Sequence, residues 1–115
     1  MKTYYLESAP PSLNNAFPTG KNGRRYKSKR YSDWFDGAMW LLKKQGIVKI
    51  EGPYGLEITI GRHLSRADID NLIKPISDVL NKVGATDDDS KMETVTITRA
   101  TRPDIRIVIF KADLA

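Results

Sequence analysis

The sequence has 115 residues, of which 40% are hydrophobic and 29% charged, and it contains no cysteine. This length and composition predict one globular domain over residues 1–115 and exclude disulfides and thiolate metal sites. No hydrophobic run approaches the roughly 20 residues of a membrane span, and no secretory stretch follows the N-terminus. We therefore expect a cytoplasmic protein with no membrane partner.

The basic residues outnumber the acidic ones by 19 to 14, and the resulting net charge of +5 makes a polyanion a reasonable partner. Six cations lie within ten residues: Lys21, Arg24, Arg25, Lys27, Lys29 and Arg30. They fall in residues 10–31, among turn-forming proline, asparagine and glycine. Residues 10–31 therefore predict a basic loop that stays mobile until a polyanion neutralises it, and the charge alone leaves nucleic acid, acidic lipid and simple solubility open.

The first half of the chain predicts a strand, the basic loop, a helix and a second strand. Residues 3–6 have β-favouring side chains and predict a short strand. Ser32 is a suitable N-cap for a helix that ends near Gly46. The hydrophobic residues of this helix recur at i, i+3, i+4 and i+7, and they are Phe35, Ala38, Met39 and Leu42. Residues 56–60 alternate between hydrophobic and polar side chains, which predicts the second strand.

The second half predicts another helix and two more strands. Helical spacing of hydrophobic residues begins near residues 71–72, with Pro75 tolerated in the first turn, and Gly84 ends the helix. Alternation at residues 95–97 and 105–109 predicts the third and fourth strands, which we expect to pair as a hairpin. The order β-α-β-α-β-β predicts an α/β (α+β) domain with a mixed sheet and two helices.

Two groups of aspartates flank the second predicted helix. Asp68 and Asp70 come just before it, and residues spaced by two in an extended chain project to the same side. Asp87, Asp88 and Asp89 follow it, roughly 20 to 25 Å away along a straight helix. The two groups can share one ion only if the second group folds back. Neighbouring second and third strands would allow this arrangement.

The residue types favour a hard cation such as Mg²⁺, because cysteine is absent and His63 is the only histidine. Magnesium keeps several waters and needs only two or three carboxylates beside a substrate phosphate. It would polarise the phosphoryl oxygen and activate water. Lys74, four residues beyond Asp70, would stabilise the developing negative charge, and Asp78 continues the same helical stripe. The pattern predicts metal-assisted phosphodiester hydrolysis.

The same residues also fit a structural interpretation. Asp70 or Asn71 would then cap the helix, Lys74 would face solvent, and the triple aspartate would form a solubilising turn. An EF-hand loop does not fit, because the twelfth position counted from Asp68 is Val79 rather than glutamate. A basic nucleic-acid-binding module without catalysis is therefore the alternative to a nuclease.

Three motifs together resemble the RusA family of Holliday-junction resolvases. Residues 10–15 read PPSLNN after the first predicted strand, residues 68–74 read DIDNLIK, and residues 88–91 read DDSK. Between the last two motifs the matching residues are Asp78, Leu80 and Gly84. The resemblance spans residues 4–110, nearly the whole chain. It implies a RusA-like fold.

The resemblance also implies an activity. Members of the family are homodimeric endodeoxyribonucleases that bind four-way DNA junctions and make paired cuts with Mg²⁺, for which we expect Mn²⁺ to substitute. The resemblance implies no small-molecule cofactor. It does imply a bacterial or prophage origin. By position, Asp68, Asp70 and Asp89 match the family's metal-binding aspartates, with Asp88 in support. Lys74 matches its catalytic lysine.

The segments that contact DNA in the family correspond to Asn14, Asn15 and residues 64–71, which end at Asn71. One departure concerns the basic residues before the aspartate motif, where the family can carry a run of arginines. Here Arg62, His63 and Arg66 are interspersed, so the cations of the basic loop are expected to supply more of the affinity for DNA.

A second departure concerns Asp87, which stands where the family more usually has an apolar residue. Three consecutive aspartates therefore compete for the role of ligand. Of these we select Asp89.

Overall fold

The computed structural model describes residues 1–11 and 28–112. In this part of the chain the element order is β-α-β-α-β-β, which confirms the predicted α+β class. The elements are β1 (Lys2–Leu6), α1 (Lys29–Lys44), β2 (Tyr54–Gly61), α2 (Ile73–Lys82), β3 (Met92–Ala100) and β4 (Ile105–Lys111).

The strands form one mixed sheet in the order β1-β4-β2-β3. β2 and β3 are parallel neighbours, with Leu56 opposite Val95. This is the neighbouring arrangement of the second and third strands that would allow the two aspartate groups to meet. β4 is antiparallel to both β2 and β1.

The predicted hairpin between β3 and β4 is wrong, because β4 pairs with β2 and β1 instead. Burial explains the difference. Ile105, Ile107 and Ile109 of β4 are all fully buried, which suits a central strand. Val95 and Ile97 of β3 are only partly buried, which suits an edge strand. The hydrophobic content of each strand therefore decides its place in the sheet more strongly than proximity along the chain.

The N-cap of helix α1 lies four residues before Ser32, the predicted N-cap. Ser28 is the actual N-cap, and its Oγ accepts a hydrogen bond from the backbone N–H of Tyr31 at 3.1 Å. Both serines suit this position, but the earlier start adds the buried ring of Tyr31 to the hydrophobic face of the helix. Lys29 and Arg30 therefore lie in the first turn of α1 rather than in the predicted basic loop.

Helix α2 follows a 3-10 turn, Ile69–Leu72, and its third residue is Pro75. At its other end Gly84 has a φ of 84°. The backbone N–H of Ala85 donates to the carbonyl of Leu80 at 2.9 Å, which completes a Schellman motif. The glycine ends the helix as predicted. No helix in residues 1–11 and 28–112 is long and apolar enough to span a membrane.

The core lies between the two helices and one face of the sheet. The inward face carries alternate residues of each strand, such as Leu6, Ile58 and Ile107, and all three are about 1% exposed or less. The opposite face, which includes Tyr5 and Arg106, is largely exposed. The helices are therefore held on one side, and the loops between strands and helices are available for a site.

We predict that Gly61→Ala destabilises the protein by about 1–3 kcal/mol, because a Cβ there would overlap a neighbouring backbone. Its nearest neighbour would be the carbonyl oxygen of Arg102, and the carbonyl of Asp104 would be 3.1 Å away. Gly37 within α1 is the matched control, since nothing lies within 4 Å of a Cβ at that position. Gly37→Ala should stabilise the protein by about 0.5–1 kcal/mol. Urea unfolding measures the change in the free energy of unfolding for both variants, and a change of the same sign in both would contradict the prediction.

Candidate active site

The ammonium of Lys74 links helix α2 to the acidic turn, which is the turn before β3 that carries residues 87–89. Its Nζ donates to Asp78 Oδ1 at 3.0 Å and to Asp89 Oδ2 at 3.2 Å. The other oxygen of Asp89 accepts a hydrogen bond from Asn81 Nδ2 at 3.4 Å. The acidic turn therefore folds back along α2 and reaches a side chain near the start of the helix.

The three consecutive aspartates have different environments. Asp87 pairs with Lys91 at 2.7 Å and with Lys49 at 3.5 Å. Asp88 caps the following 3-10 turn by accepting from the backbone N–H of Ser90 at 3.2 Å. Asp89 is the one that contacts α2. The geometry thus separates Asp89 from Asp87, which pairs with Lys91 and Lys49, and from Asp88, which caps the turn.

Asp68 and Asp70 lie at the start of the 3-10 turn Ile69–Leu72, and both are exposed. The carbonyl of Asp68 accepts the backbone N–H of Asn71 at 3.0 Å, but its carboxylate caps nothing. In the described part of the chain, neither carboxylate forms a hydrogen bond or an ion pair. Two acidic side chains are therefore available to a cation or a ligand.

The fold brings the two acidic segments toward one another. The turn that carries Asp70 contacts β3, and the turn that begins with Asp89 contacts α2. Lys74 lies four residues after Asp70, which is about one helical turn, and it touches Asp89 directly. The long separation expected along the helix is therefore reduced by the return of the acidic turn.

The donor chemistry fits a hard divalent cation. Among residues 1–11 and 28–112, no three acidic or histidine side chains are arranged closely enough to enclose a metal ion. Magnesium does not require such a cage, because it retains waters and is commonly held by one or two carboxylates together with substrate phosphates. The exposed carboxylates of Asp68 and Asp70 could hold magnesium in this way. The assignment of Asp68, Asp70 and Asp89 as ligands stays a prediction.

The ion pairs determine the charge state of this site. The hydrogen bond that Lys74 donates to Asp78, with a further one to Asp89, raises the pKa of Lys74. The same contact with Lys74 lowers the pKa of Asp89. Lys74 is therefore a permanent cation near neutral pH, suited to holding an anion and unsuited to accepting a proton.

Arg99 on β3 was not among the residues predicted from the sequence. Its guanidinium donates to the carbonyl of Ala67, the residue before Asp68. In the strand, Arg99 follows Val95 and Ile97 on the inward-facing side. A cation at the third inward position of a strand was the signal that sequence reasoning overlooked. This contact ties the loop that carries Asp68 to the sheet.

The resemblance to the RusA family implies DNA cleavage beside the loop that Arg99 holds. We therefore predict that Arg99→Met lowers the turnover rate about tenfold with little change in DNA affinity, because a small displacement of a reacting group is costly. Arg99→Lys should recover part of the loss. Arg106→Met, on the exposed face of the same sheet, is the matched control. Single-turnover cleavage and binding measured in chelator separate the two effects, and an equal loss of affinity in Arg99→Met would contradict a positioning role.

The residues predicted to contact DNA are divided between described and other parts of the chain. Asn14, Asn15, Lys21, Arg24, Arg25 and Lys27 lie outside the described residues, as does most of the predicted loop, residues 10–31. Lys29 is exposed and pairs with Asp33 at 2.8 Å. Arg30 and Arg66 are exposed and line one cleft, whereas Arg62 is exposed beside another. Asn71 is half-buried beside Asp70.

Tyr31 and His63 both precede the candidate active site in the sequence and have different exposures. Tyr31 is 2% exposed and anchors the start of α1. Burial raises the pKa of its hydroxyl. His63 is exposed in a 3-10 turn, Arg62–Leu64, and belongs to no cluster of metal-ligating side chains in the described residues.

Comparison with known proteins defines the class of this chain. The family described as endodeoxyribonuclease RusA matches residues 8–110. The chain therefore belongs to this family of endodeoxyribonucleases, and the resemblance in its motifs is confirmed. The chain is also similar in sequence to the crossover junction endodeoxyribonuclease RusA of Aquifex aeolicus (strain VF5). It is 28% identical over 89 residues, which cover 75% of this chain and 70% of the relative.

Proposed function

We propose that this chain resolves four-way (Holliday) DNA junctions by Mg²⁺-dependent hydrolysis of phosphodiester bonds, and that Mn²⁺ can replace Mg²⁺. The observation that carries the proposal is the network of Lys74 with Asp78 and Asp89 in a member of this family. This network lies one helical turn from Asp70, which is unpaired among the residues that the structure describes. The relative from Aquifex aeolicus is named for action on crossover junctions. The proposed setting is the cytoplasm of a bacterium, or of a cell that carries a prophage.

Asp68, Asp70 and Asp89 would hold the metal ion, with Asp88 beside them. When bound, the ion supplies Lewis-acid activation of the phosphate and of water. The chain's own residues supply charge and position. Lys74 has three N–H donors, of which two are used by Asp78 and Asp89. The third is free to donate to a phosphate oxygen on which negative charge develops.

DNA affinity in this proposal comes from cations that neutralise phosphates. Arg30, Arg62 and Arg66 are exposed and meet this requirement. Hydrolysis of each strand adds one water across a P–O bond and leaves a phosphate end and a hydroxyl end. Two cuts are needed to separate a junction, and each chain carries one candidate site, so we propose that a homodimer acts on it.

The test is cleavage of a synthetic four-way junction with and without Mg²⁺, alongside a linear duplex of the same sequence. We expect paired cuts in the junction, only with the metal, and weak cleavage of the duplex. The alternative, a binding module without catalysis, would bind the junction and leave it intact at every Mg²⁺ concentration, apart from ordinary salt screening. That outcome would overturn the proposal.

A further inference from the structure

A cleft of about 560 Å³ lies next to the loop that carries Asp68. One wall is formed by residues 64–67, so it ends one residue before Asp68. The other walls are formed by residues 8–11, after β1, and by the first turns of α1. A volume of this size is within the range of small-molecule sites, about 300–1,000 Å³. The cleft shares a wall with the loop that leads directly into Asp68.

The lining of the cleft combines an apolar floor with two cations. Pro10 and Pro11 are buried, Trp34 is 9% exposed, and Leu64 contributes further apolar surface. Trp34 is fixed because its Nε1 donates to the carbonyl of Ser8 at 3.0 Å. Flat apolar surfaces of this kind accept the face of a nucleic-acid base.

The charged part of the lining has a single sign. Arg30 comes from α1 and Arg66 from the loop before Asp68, and both are exposed. No acidic residue is present among the described residues that line the cleft. The carbonyl of Ala67 is held by Arg99, so the wall that carries Arg66 has a defined position. Two guanidinium groups beside an apolar floor match the two parts of a nucleotide, its phosphate and its base.

We propose that this cleft binds one unstacked nucleotide of the DNA substrate next to the scissile phosphate. The base lies against Trp34 and the prolines, and its phosphate is held by Arg30 and Arg66. The inference rests on the proposed function and deepens it, because it assigns a base-binding subsite to the same active site. Unstacking one base costs free energy, which the contacts of base and phosphate in the cleft would have to offset. Cleavage therefore depends on the base at one position.

The first test is an abasic scan of the four-way junction. Each nucleotide within three positions of the cleavage point is replaced in turn by an abasic residue, and binding in chelator and cleavage with Mg²⁺ are measured. One position should lose about tenfold in affinity, the effect of one lost base contact. Equal affinity at every position would overturn the cleft assignment. The intact junction in the same experiment tests the proposed function separately, because its cleavage with Mg²⁺ shows the activity whether or not any single abasic position weakens binding.

The second test fills the cleft. Ala9→Phe introduces a ring at a half-buried lining residue. This variant should bind the intact junction about as weakly as the wild type binds the sensitive abasic junction. It should show no further loss with the abasic junction, because the base is already excluded. Losses that multiply would overturn the assignment, and thermal unfolding checks that the variant is folded.

The third test is independent of core packing. Arg30→Ala/Arg66→Ala removes two exposed cations and should lower affinity for the intact junction about tenfold or more. The slope of log K against log salt should fall by about 1.8, since each phosphate contact contributes about 0.9. Lys43→Ala, an exposed cation in the last turn of α1 and about 20 Å from Arg30 by helical rise, is the control. If the double variant behaves like this control, the phosphate half of the subsite is wrong.

Discussion

Replacing Asp70 by asparagine should abolish Mg²⁺-dependent cleavage of the four-way junction. The loss should be at least roughly 10³-fold, because a metal ion stabilises transition-state charge by several kcal/mol. Asp70 is exposed and unpaired among the described residues, so the substitution disrupts no hydrogen bond and the fold should be retained. Junction binding in chelator should be equal or slightly tighter, because one negative charge is removed near the phosphates. Single-turnover cleavage and a binding titration measure the two quantities.

The control for Asp70→Asn is Asp36→Asn, an exposed aspartate of α1 outside the candidate active site. It removes the same charge from the same domain and should cleave at the wild-type rate. A uniform electrostatic effect would change both variants alike. Retained cutting by Asp70→Asn would contradict its assignment as a metal ligand, and with it the catalytic proposal built on the two exposed carboxylates.

Lys74→Met should reduce the rate of cleavage about 10²–10³-fold, the usual effect of removing one donor that stabilises transition-state charge. Methionine retains an unbranched apolar side chain but cannot donate to Asp78, Asp89 or a phosphate. Loss of the Lys74 ammonium also removes the contact that lowers the pKa of Asp89. Rapid-quench cleavage at saturating protein isolates the chemical step from binding.

Lys82→Met is the matched control, because Lys82 is an exposed lysine in the last turn of the same helix. It should bind junctions slightly less tightly and cleave bound junctions at the normal rate. Lys74→Arg separates charge from shape, since it keeps the cation and changes its geometry. Cleavage by Lys74→Met within threefold of the wild-type rate would show that Lys74 serves only the ion pairs of α2.

The ends of the two helices show what local sequence can predict. The end of α2 followed from Gly84, because few residues other than glycine accept its positive φ. The start of α1 did not, since Ser28 and Ser32 are both acceptable caps. The choice depends on burial of Tyr31 against the rest of the molecule, which no local pattern contains. Local chemistry fixed the first boundary, and tertiary packing fixed the second.

Strand pairing shows a similar limit. The alternation in β3 and β4 identified both strands, but their closeness in the chain suggested a hairpin that does not form. The fully buried Ile105, Ile107 and Ile109 require neighbours on both sides, and β2 and β1 provide them. A pattern of hydrophobic residues gives the face that a strand buries, whereas its neighbours depend on the whole sheet.

The candidate active site was predictable as a set of residue types and only partly as an arrangement. Asp68, Asp70 and Lys74 belong to one short segment, so their spacing and their placement before and within α2 could be predicted from local sequence. The contact between Lys74 and Asp89 joins residues 15 positions apart and depends on the return of the acidic turn. Arg99 acts through a backbone carbonyl 32 positions away, for which the sequence offers little more than an inward-facing cation.

The edge position of β3 has a consequence for the dynamics of the enzyme. Edge strands have a hydrogen-bonded neighbour on one side only, and local opening of a protein commonly begins in such segments. The acidic turn leads into β3, and the arginine that holds the loop of Asp68 lies near its end. Transient detachment of this strand would disturb both sides of the candidate active site while β1, β4 and β2 stay paired. Amide hydrogen exchange of β3, rather than global unfolding, should therefore track the fraction of molecules that are competent to cleave.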